Sequence, residues 1–433
     1  MTAGEVVTHG DDVSGTRSDD GVAPRTYAGG TRQGREGMGN LVAVLVVAVP
    51  TFLAVVAPRR TPLQARLSFL GGLVVNEMPL WPALWVAGAT ALAAADGTLR
   101  TVPGGVGAAL AAVTLVGLAV ILRRGLAARP VLVRALADAG LTRAAAATRR
   151  GPWRDLAAGL FPFVVRSPRI VRRRDVAYGP HGRRNLLDVY QPRRPTRAGG
   201  TAPVLVYFHG GGYASGRKDR EARLLMHRAV RRGWVAVSAA YRLRPDAGMP
   251  EHLADADAAI AWVRAHAVEL GADPDTVVIA GSSAGAHLAS VVALRRSRPG
   301  RAPATSTAAT PRARIAAVVG LYGWYGGYLG DATVPANPGD LAHADAPPFV
   351  LLHGDQDTYV PPAMAQRLAA RLRAVSRAPV VHAELPGAQH GFDLLRSPRF
   401  SAVTDAVLAV LDEVVPAPGA EPLPRSSSWR RGT

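Results

Sequence analysis

In Val277-Val278-Ile279-Ala280-Gly281-Ser282-Ser283-Ala284-Gly285-Ala286-His287, a β-branched apolar run stops at Gly-x-Ser-x-Gly and an Ala/Leu-rich helical segment follows. The order is strand, sharp turn, helix. A turn that lifts a serine off the end of a strand is strained and needs small neighbours, which Gly281, Ala284, Gly285 and Ala286 supply. Ser283 is therefore expected at a strand's C-terminal end as a nucleophile. The N–H of Ala284, at the start of the following helix, would face a developing oxyanion.

A serine hydroxyl is a poor nucleophile at neutral pH until an imidazole takes its proton. His390 is the candidate base, in the Gly-bounded loop Pro386-Gly387-Ala388-Gln389-His390-Gly391 just after the last apolar run. An orienting carboxylate is expected from Leu351-Leu352-His353-Gly354-Asp355-Gln356-Asp357, which closes another apolar run. Asp357, four residues after His353 and just before the next helix, is the expected partner, with Asp355 as the alternative. The order Ser…Asp…His is that of a nucleophile-elbow triad. Donors for a tetrahedral intermediate are expected from His209-Gly210-Gly211-Gly212-Tyr213, directly after Val204–Phe208. Consecutive glycines let backbone N–H groups approach an oxyanion closely. A phosphate-binding loop is the alternative, but the Gly-Lys-[Ser/Thr] ending is missing.

From Val171 onward, short apolar strands alternate with helical segments. Strands are expected at Arg174–Tyr178, Asn185–Tyr190, Val204–Phe208, Trp234–Ala240, Thr276–Ala280, Ile315–Leu321, Phe349–His353 and Val380–Leu385. Helices are expected at Arg220–Arg232, His252–Leu270, Ala284–Arg296, Pro362–Val375 and Ala402–Val415. This alternation predicts an α/β class, doubly wound, mostly parallel sheet with its site beyond the strands' C-terminal ends.

Residues from about 172 to 415 resemble the α/β-hydrolase fold, and within it the hormone-sensitive-lipase-type carboxylesterases. The matching motifs are His209-Gly210-Gly211-Gly212, Tyr241-Arg242-Leu243-Arg244-Pro245 with Pro250 and Asp255, the Ser283 elbow, Asp357 and His390. Asp175-Val176-Ala177-Tyr178-Gly179 and Arg184-Asn185-Leu186-Leu187-Asp188-Val189-Tyr190 look closest to the membrane-attached branch that includes isoprenylcysteine methylesterase-like enzymes. The resemblance implies an oxyanion hole from the N–H groups of Gly211, Gly212 and Ala284. It also implies a Ser283–Asp357–His390 triad and no metal or organic cofactor. The family's elbow usually reads Gly-Asp-Ser-Ala-Gly-Gly; here Ser282 stands where the aspartate would be, and Ala286 replaces the last glycine.

Three apolar stretches precede this part: Leu41–Ala57, Leu67–Ala95 and Val102–Leu122. Each is close to the roughly 20 residues that span a bilayer, and arginines flank them. About three transmembrane helices are expected over 38–125. Glu77 interrupts the second stretch; it either sits at an interface near Trp81 and Trp85, or the span begins after Pro79. Arg59, Arg60 and Arg66 share a side with Arg123, Arg124, Arg129 and Arg134, so the positive-inside rule places the catalytic domain in the cytoplasm. Residues 126–170, with Trp153, Leu156, Leu160, Phe161 and Phe163, read as a helical linker or lid near the membrane face. The catalytic domain is expected over 171–416, with disordered tails at 1–37 and 417–433; Met38 is an alternative starting methionine.

The chain of 433 residues, 48% hydrophobic, is long enough for more than one domain. Cysteine is absent, which excludes disulfides and thiol catalysis. The formal charge of +19 is carried by arginine, Lys218 being the only lysine. No basic stripe with interleaved aromatics accompanies it, so a membrane-lipid partner is expected rather than nucleic acid. The reading is a multi-pass, membrane-anchored serine carboxylesterase or lipase acting on small-molecule or lipid esters. The alternatives are an amide or formamide hydrolase on the same triad and a non-catalytic membrane scaffold. A fragment starting near Arg172 contains every candidate site residue and is expected to be soluble and to keep some activity.

Overall fold

The computed structural model describes residues 38–149, 151–163, 165, 167–194, 202–298, 315–328 and 335–415. The expected tails at 1–37 and 417–433 lie outside the described residues. Eight strands form one sheet: β1 (Ile170–Ala177), β2 (Leu186–Pro192), β3 (Ala202–Phe208), β4 (Val235–Ala239), β5 (Ala272–Ser282), β6 (Ile315–Leu321), β7 (Phe349–Gly354) and β8 (Val380–Leu385). Their order is β1-β2-β4-β3-β5-β6-β7-β8. β1 and β2 enter antiparallel, and every later neighbouring pair from β4 to β8 is parallel. Every residue of β3, β4 and β7 is buried. That explains why these strands read as continuous apolar runs: helices cover both faces of a parallel sheet.

The helices before the sheet are α1 (Met38–Val56), α2 (Pro62–Glu77), α3 (Leu80–Ala95), α4 (Val102–Asp138), α5 (Thr142–Arg149) and α6 (Pro152–Leu160). Those within it are α7 (Arg223–Arg231), α8 (Met249–Ala265), α9 (Ala284–Ser297), α10 (Ala363–Val375) and α11 (Pro398–Val414). α8, α9 and α10 pack on one face of the sheet, around Ile260, Leu288 and Leu368. The other face is covered by α7 and α11, with Leu225, Phe400 and Leu408 buried. The C-terminal half of α4 joins that second core through Ala128, Leu132 and Leu136. Its N-terminal half packs in a separate cluster with α1, through Ala111, Leu118 and Ile121 against Val44 and Val47.

One helix of 37 residues, about 56 Å long, thus runs through both parts. It starts with Thr101, whose hydroxyl accepts from Gly104 N at 3.1 Å, and Pro103 sits in the first turn, where a missing N–H costs nothing. The boundary expected at 125/126 falls inside this helix. Arg123 and Arg124 end the apolar run in sequence but do not end the helix, because straight-chain residues are good helix formers.

The second apolar stretch also differs from a single span. It breaks after Glu77 into α2 and α3, bent by 84°. Pro79 removes a backbone donor there. Asn76 and Glu77 turn toward the sheet and its helices: Asn76 Nδ2 donates to Gly387 O at 2.8 Å, and Glu77 pairs with Arg399. Glu77 is thus buried against an arginine of α11 rather than at an interface, and α3 begins at Leu80, directly after Pro79, as the other expected alternative has it. Among the described residues, α1 and α4 are long and apolar enough to cross a membrane; the bent pair adds a third crossing only if taken as one. Large apolar side chains lie exposed along this bundle, including Val46, Phe52, Leu70, Leu84, Leu92 and Val113.

Candidate active site

Ser283 sits between β5 and α9 with φ 52° and ψ −118°, a left-handed backbone that a non-glycine residue adopts only under local constraint. The constraint is packing. A side chain at Gly285 would meet Phe208 O at 2.1 Å, so only glycine lets α9 begin this close to β3. Ser283 N donates to Leu321 O at 2.9 Å, fixing the turn to β6.

Three side chains from three loops converge here. His390 Nε2 is 3.0 Å from Ser283 Oγ, and His390 Nδ1 is 2.8 Å from Asp357 Oδ2. The other oxygen of Asp357 accepts from Tyr359 N and Val360 N, each at 2.8 Å. His353, fully buried, brings its Nε2 to 3.2 Å from Asp357 Oδ2 and 3.0 Å from Val360 O. A carbonyl only accepts, so His353 carries its proton on Nε2. Burial works against the charge of Asp357, but His390 and then His353 outweigh it and hold the carboxyl well below its ordinary range. Asp357 is therefore an anion pointing at Nδ1, which leaves the Nε2 lone pair of His390 facing Ser283. Asp355, the alternative carboxylate, accepts from Gly387 N at 2.7 Å and lies along the His390 loop's backbone.

The glycine loop after β3 reaches this point through Gly210, where a Cβ would lie 3.1 Å from Ser283 Cβ. Gly211 has φ 115°, reachable only without a side chain, and a Cβ there would strike Ser215 O at 2.2 Å. Among the described residues no acceptor is paired with the N–H of Gly211, Gly212 or Ala284. The loop is held from below. Glu221 Oε2 accepts from Gly210 N at 2.6 Å, and Tyr213 OH donates to His287 Nδ1 at 2.7 Å. His287 Nε2 in turn donates to Ala336 O at 2.6 Å. Burial pushes His287 down to about 4, so it is neutral and this tautomer persists.

Several neighbours carry no local signal in the sequence. Ser282 Oγ donates to Asp393 Oδ2 at 2.6 Å, and Tyr207 OH lies 2.7 Å from Ser282 Oγ. Tyr322 OH donates to the other oxygen of Asp393. Burial, then the nearby charge of Glu221, raises the Asp393 carboxyl. Asp393 stands three residues past His390, and that spacing is its only trace in the sequence. Phe69 of α2 and Tyr359 flank His390: the Phe69 and Tyr359 ring centroids are 4.7 Å apart, and Tyr359 stacks on the imidazole at 5.6 Å. Arg124 Nη1 and Gln356 Nε2 both donate to Val55 O, at 2.9 and 3.3 Å, and Thr358 Oγ1 donates to Ala65 O at 3.0 Å. The loops bearing Asp357 and His390 are thus roofed by the N-terminal helices.

A mostly parallel eight-stranded sheet with a serine on a strand-to-helix elbow is the architecture of the α/β-hydrolases. The BD-FAE family profile matches residues 187–326. LipM of Mycobacterium tuberculosis (strain ATCC 25618 / H37Rv), described as a probable carboxylic ester hydrolase, is 37% identical over 422 residues, covering 89% of this chain and 96% of LipM. Esterase LipQ of the same organism is 38% identical over 255 residues, covering 54% of this chain and 60% of LipQ. ICMEL1 of Arabidopsis thaliana, a probable isoprenylcysteine alpha-carbonyl methylesterase, is 28% identical over 252 residues, covering 49% of this chain and 51% of its own. The chain belongs to the carboxylic ester hydrolase family of LipM, a group of hormone-sensitive-lipase-type α/β-hydrolases, and is a serine-hydrolase-type carboxylesterase.

Proposed function

We propose that this carboxylesterase is membrane-anchored and works through Ser283, His390 and Asp357. The observation that carries the triad is the continuous contact from Asp357 through His390 to Ser283 Oγ. Ser283 Oγ attacks the ester carbonyl while His390 Nε2 takes its proton. The oxyanion is held by the N–H groups of Gly211, Gly212 and Ala284. Asp357 stabilises the imidazolium that forms, and His390 then protonates the leaving alcohol. Water, activated by the same imidazole, releases the acid from Ser283. A fluorophosphonate label on the full chain, followed by peptide mapping, tests this: label on any residue other than Ser283 rejects the assignment.

The choice between the two aspartates is separately testable. Asp357→Asn is expected to lower turnover on the order of 10⁴-fold by permitting the wrong histidine tautomer. Asp355→Asn keeps an amide oxygen able to accept from Gly387 N, loses only the charge, and should cost far less. A reversed ranking in steady-state rates would assign the carboxylate to Asp355.

The anchor reading rests on α1 and the N-terminal half of α4, with the arginines at 59, 60, 66, 123 and 124 setting a cytoplasmic catalytic domain. α2 lies along the catalytic loops, and Phe69 stands beside His390, which favours esters dissolved in the bilayer as substrates. The full chain should stay with the membrane until detergent is added. Protease added to intact cells should spare the segment 295–314; cleavage there without lysis would reverse the orientation.

A further inference from the structure

A cavity of about 760 Å³ lies between α4 and α6, away from Ser283. Its size falls in the range of roughly 300–1,000 Å³ usual for ligand sites. Leu126, Pro130 and Val133 line it from one face of α4, with Leu156 opposite. It begins four residues beyond Leu122, where the apolar run of α4 ends. Arg134 and Arg149 also line it, and among the described residues neither makes an ion pair. Arg129, on the inner wall, differs: its Nε is 2.6 Å from Asp155 Oδ2 and its Nη2 is 2.9 Å from Asp405 Oδ2. Among the described residues Asp155 is the one carboxylate lining the cavity, and it is taken by Arg129, so the net charge left facing the cavity is positive. Trp153, Phe161 and Phe163 of the same segment are 80%, 58% and 71% exposed. Aromatic side chains beside arginines at the end of an apolar span suit a membrane–water interface.

We propose that this groove holds one anionic phospholipid, its head group on Arg134 and Arg149 and an acyl chain along Leu126, Pro130 and Val133. The proposal rests on the reading that α1 and α4 lie in a bilayer. Arg134 lies eight residues beyond Leu126, about 12 Å along the helix. That separation lets one end of the groove meet hydrocarbon and the other meet a phosphate. Charge complementarity selects the occupant: an uncharged lipid fills the apolar end equally well but leaves the two guanidinium groups without an anion.

The test is calorimetric titration of the full chain, in an uncharged detergent, with dioctanoyl phosphatidylglycerol and with dioctanoyl phosphatidylcholine. The wild-type chain should bind phosphatidylglycerol roughly tenfold or more tightly than phosphatidylcholine, since each arginine near an anionic surface contributes. The double variant R134E/R149E should lose that preference while hydrolysing a water-soluble short-chain ester at the wild-type rate. Ala137→Trp, which fills the groove without changing its charge, should weaken both lipids. Equal affinity for the two lipids, a preference retained by R134E/R149E, or tighter binding of decanoate than of phosphatidylglycerol would each overturn the proposal. Loss of ester turnover in the wild-type chain would count against the esterase reading, and recovery of the chain without detergent against the bilayer reading. The lipid titration decides the groove in either case.

Discussion

Ser283→Ala is expected to lower turnover of a short-chain ester by about 10⁴-fold or more, with the full chain still folded in detergent. The size of the effect follows from the reaction. Without Ser283 Oγ, no acyl-enzyme forms, and His390 can only assist water from a distance set for another nucleophile. What remains is oxyanion stabilisation and binding, which retain on the order of 10³–10⁴ over the uncatalysed rate. The fold should be spared because, among the described residues, Ser283 Oγ bonds only to His390, whose side chain is 12% exposed and finds water once the serine is gone. The strained backbone at φ 52° is imposed by Gly281, Gly285 and the β6 contact, none of which alanine disturbs. Initial rates on p-nitrophenyl butyrate together with a thermal melt separate the two outcomes. More than about a tenth of wild-type turnover, at an unchanged melting temperature, would remove Ser283 from the mechanism.

A chain beginning at Arg172 is expected to accumulate unfolded, with no measurable turnover, although it contains every candidate site residue. This reverses the expectation drawn from the sequence. Such a fragment lacks Leu132, Leu136 and Leu141, which are 0%, 1% and 3% exposed in the core beneath α7 and α11. Losing a buried leucine costs about 2–5 kcal/mol even when only truncated to alanine. The fragment also lacks Glu77, leaving Arg399, 1% exposed, without its carboxylate; stranding one partner of a buried pair costs roughly 3–5 kcal/mol. Arg129, which bridges Asp155 and Asp405, goes as well. Against a total stability of about 5–15 kcal/mol for an ordinary domain, these losses leave no margin. Expression of the fragment beside the full chain, with solubility, melting and ester turnover measured for both, tests this. A soluble fragment that melts cooperatively and hydrolyses the short-chain ester at the full-length rate would show that the helices are only a tether.

Features that depend on short stretches of chain could be read from residue order. The eight strands were legible because a strand buried on both faces must be an apolar run bounded by turn residues, as in Val204–Phe208 and Phe349–His353. The elbow was legible because Gly281 and Gly285 are needed within four residues of each other for β5 and α9 to meet. The loops carrying His390 and Asp357 were legible because each follows directly on a strand whose end marks the reactive edge of the sheet. Contacts between distant segments set the rest. Asp355 and Asp357 are two residues apart in one loop, and only the path of that loop turns one to the imidazole and the other to Gly387 N. Glu77 looked like a charge misplaced in an apolar stretch because its partner, Arg399, lies more than three hundred residues away. The same holds for Asp393 under Ser282 and for Phe69 beside His390. α4 looked like a span followed by a linker because its two halves are apolar for different reasons, one packed with α1 and the other in the core of the sheet. Helical periodicity records that a face is buried; which partner buries it is settled by contacts distant in sequence.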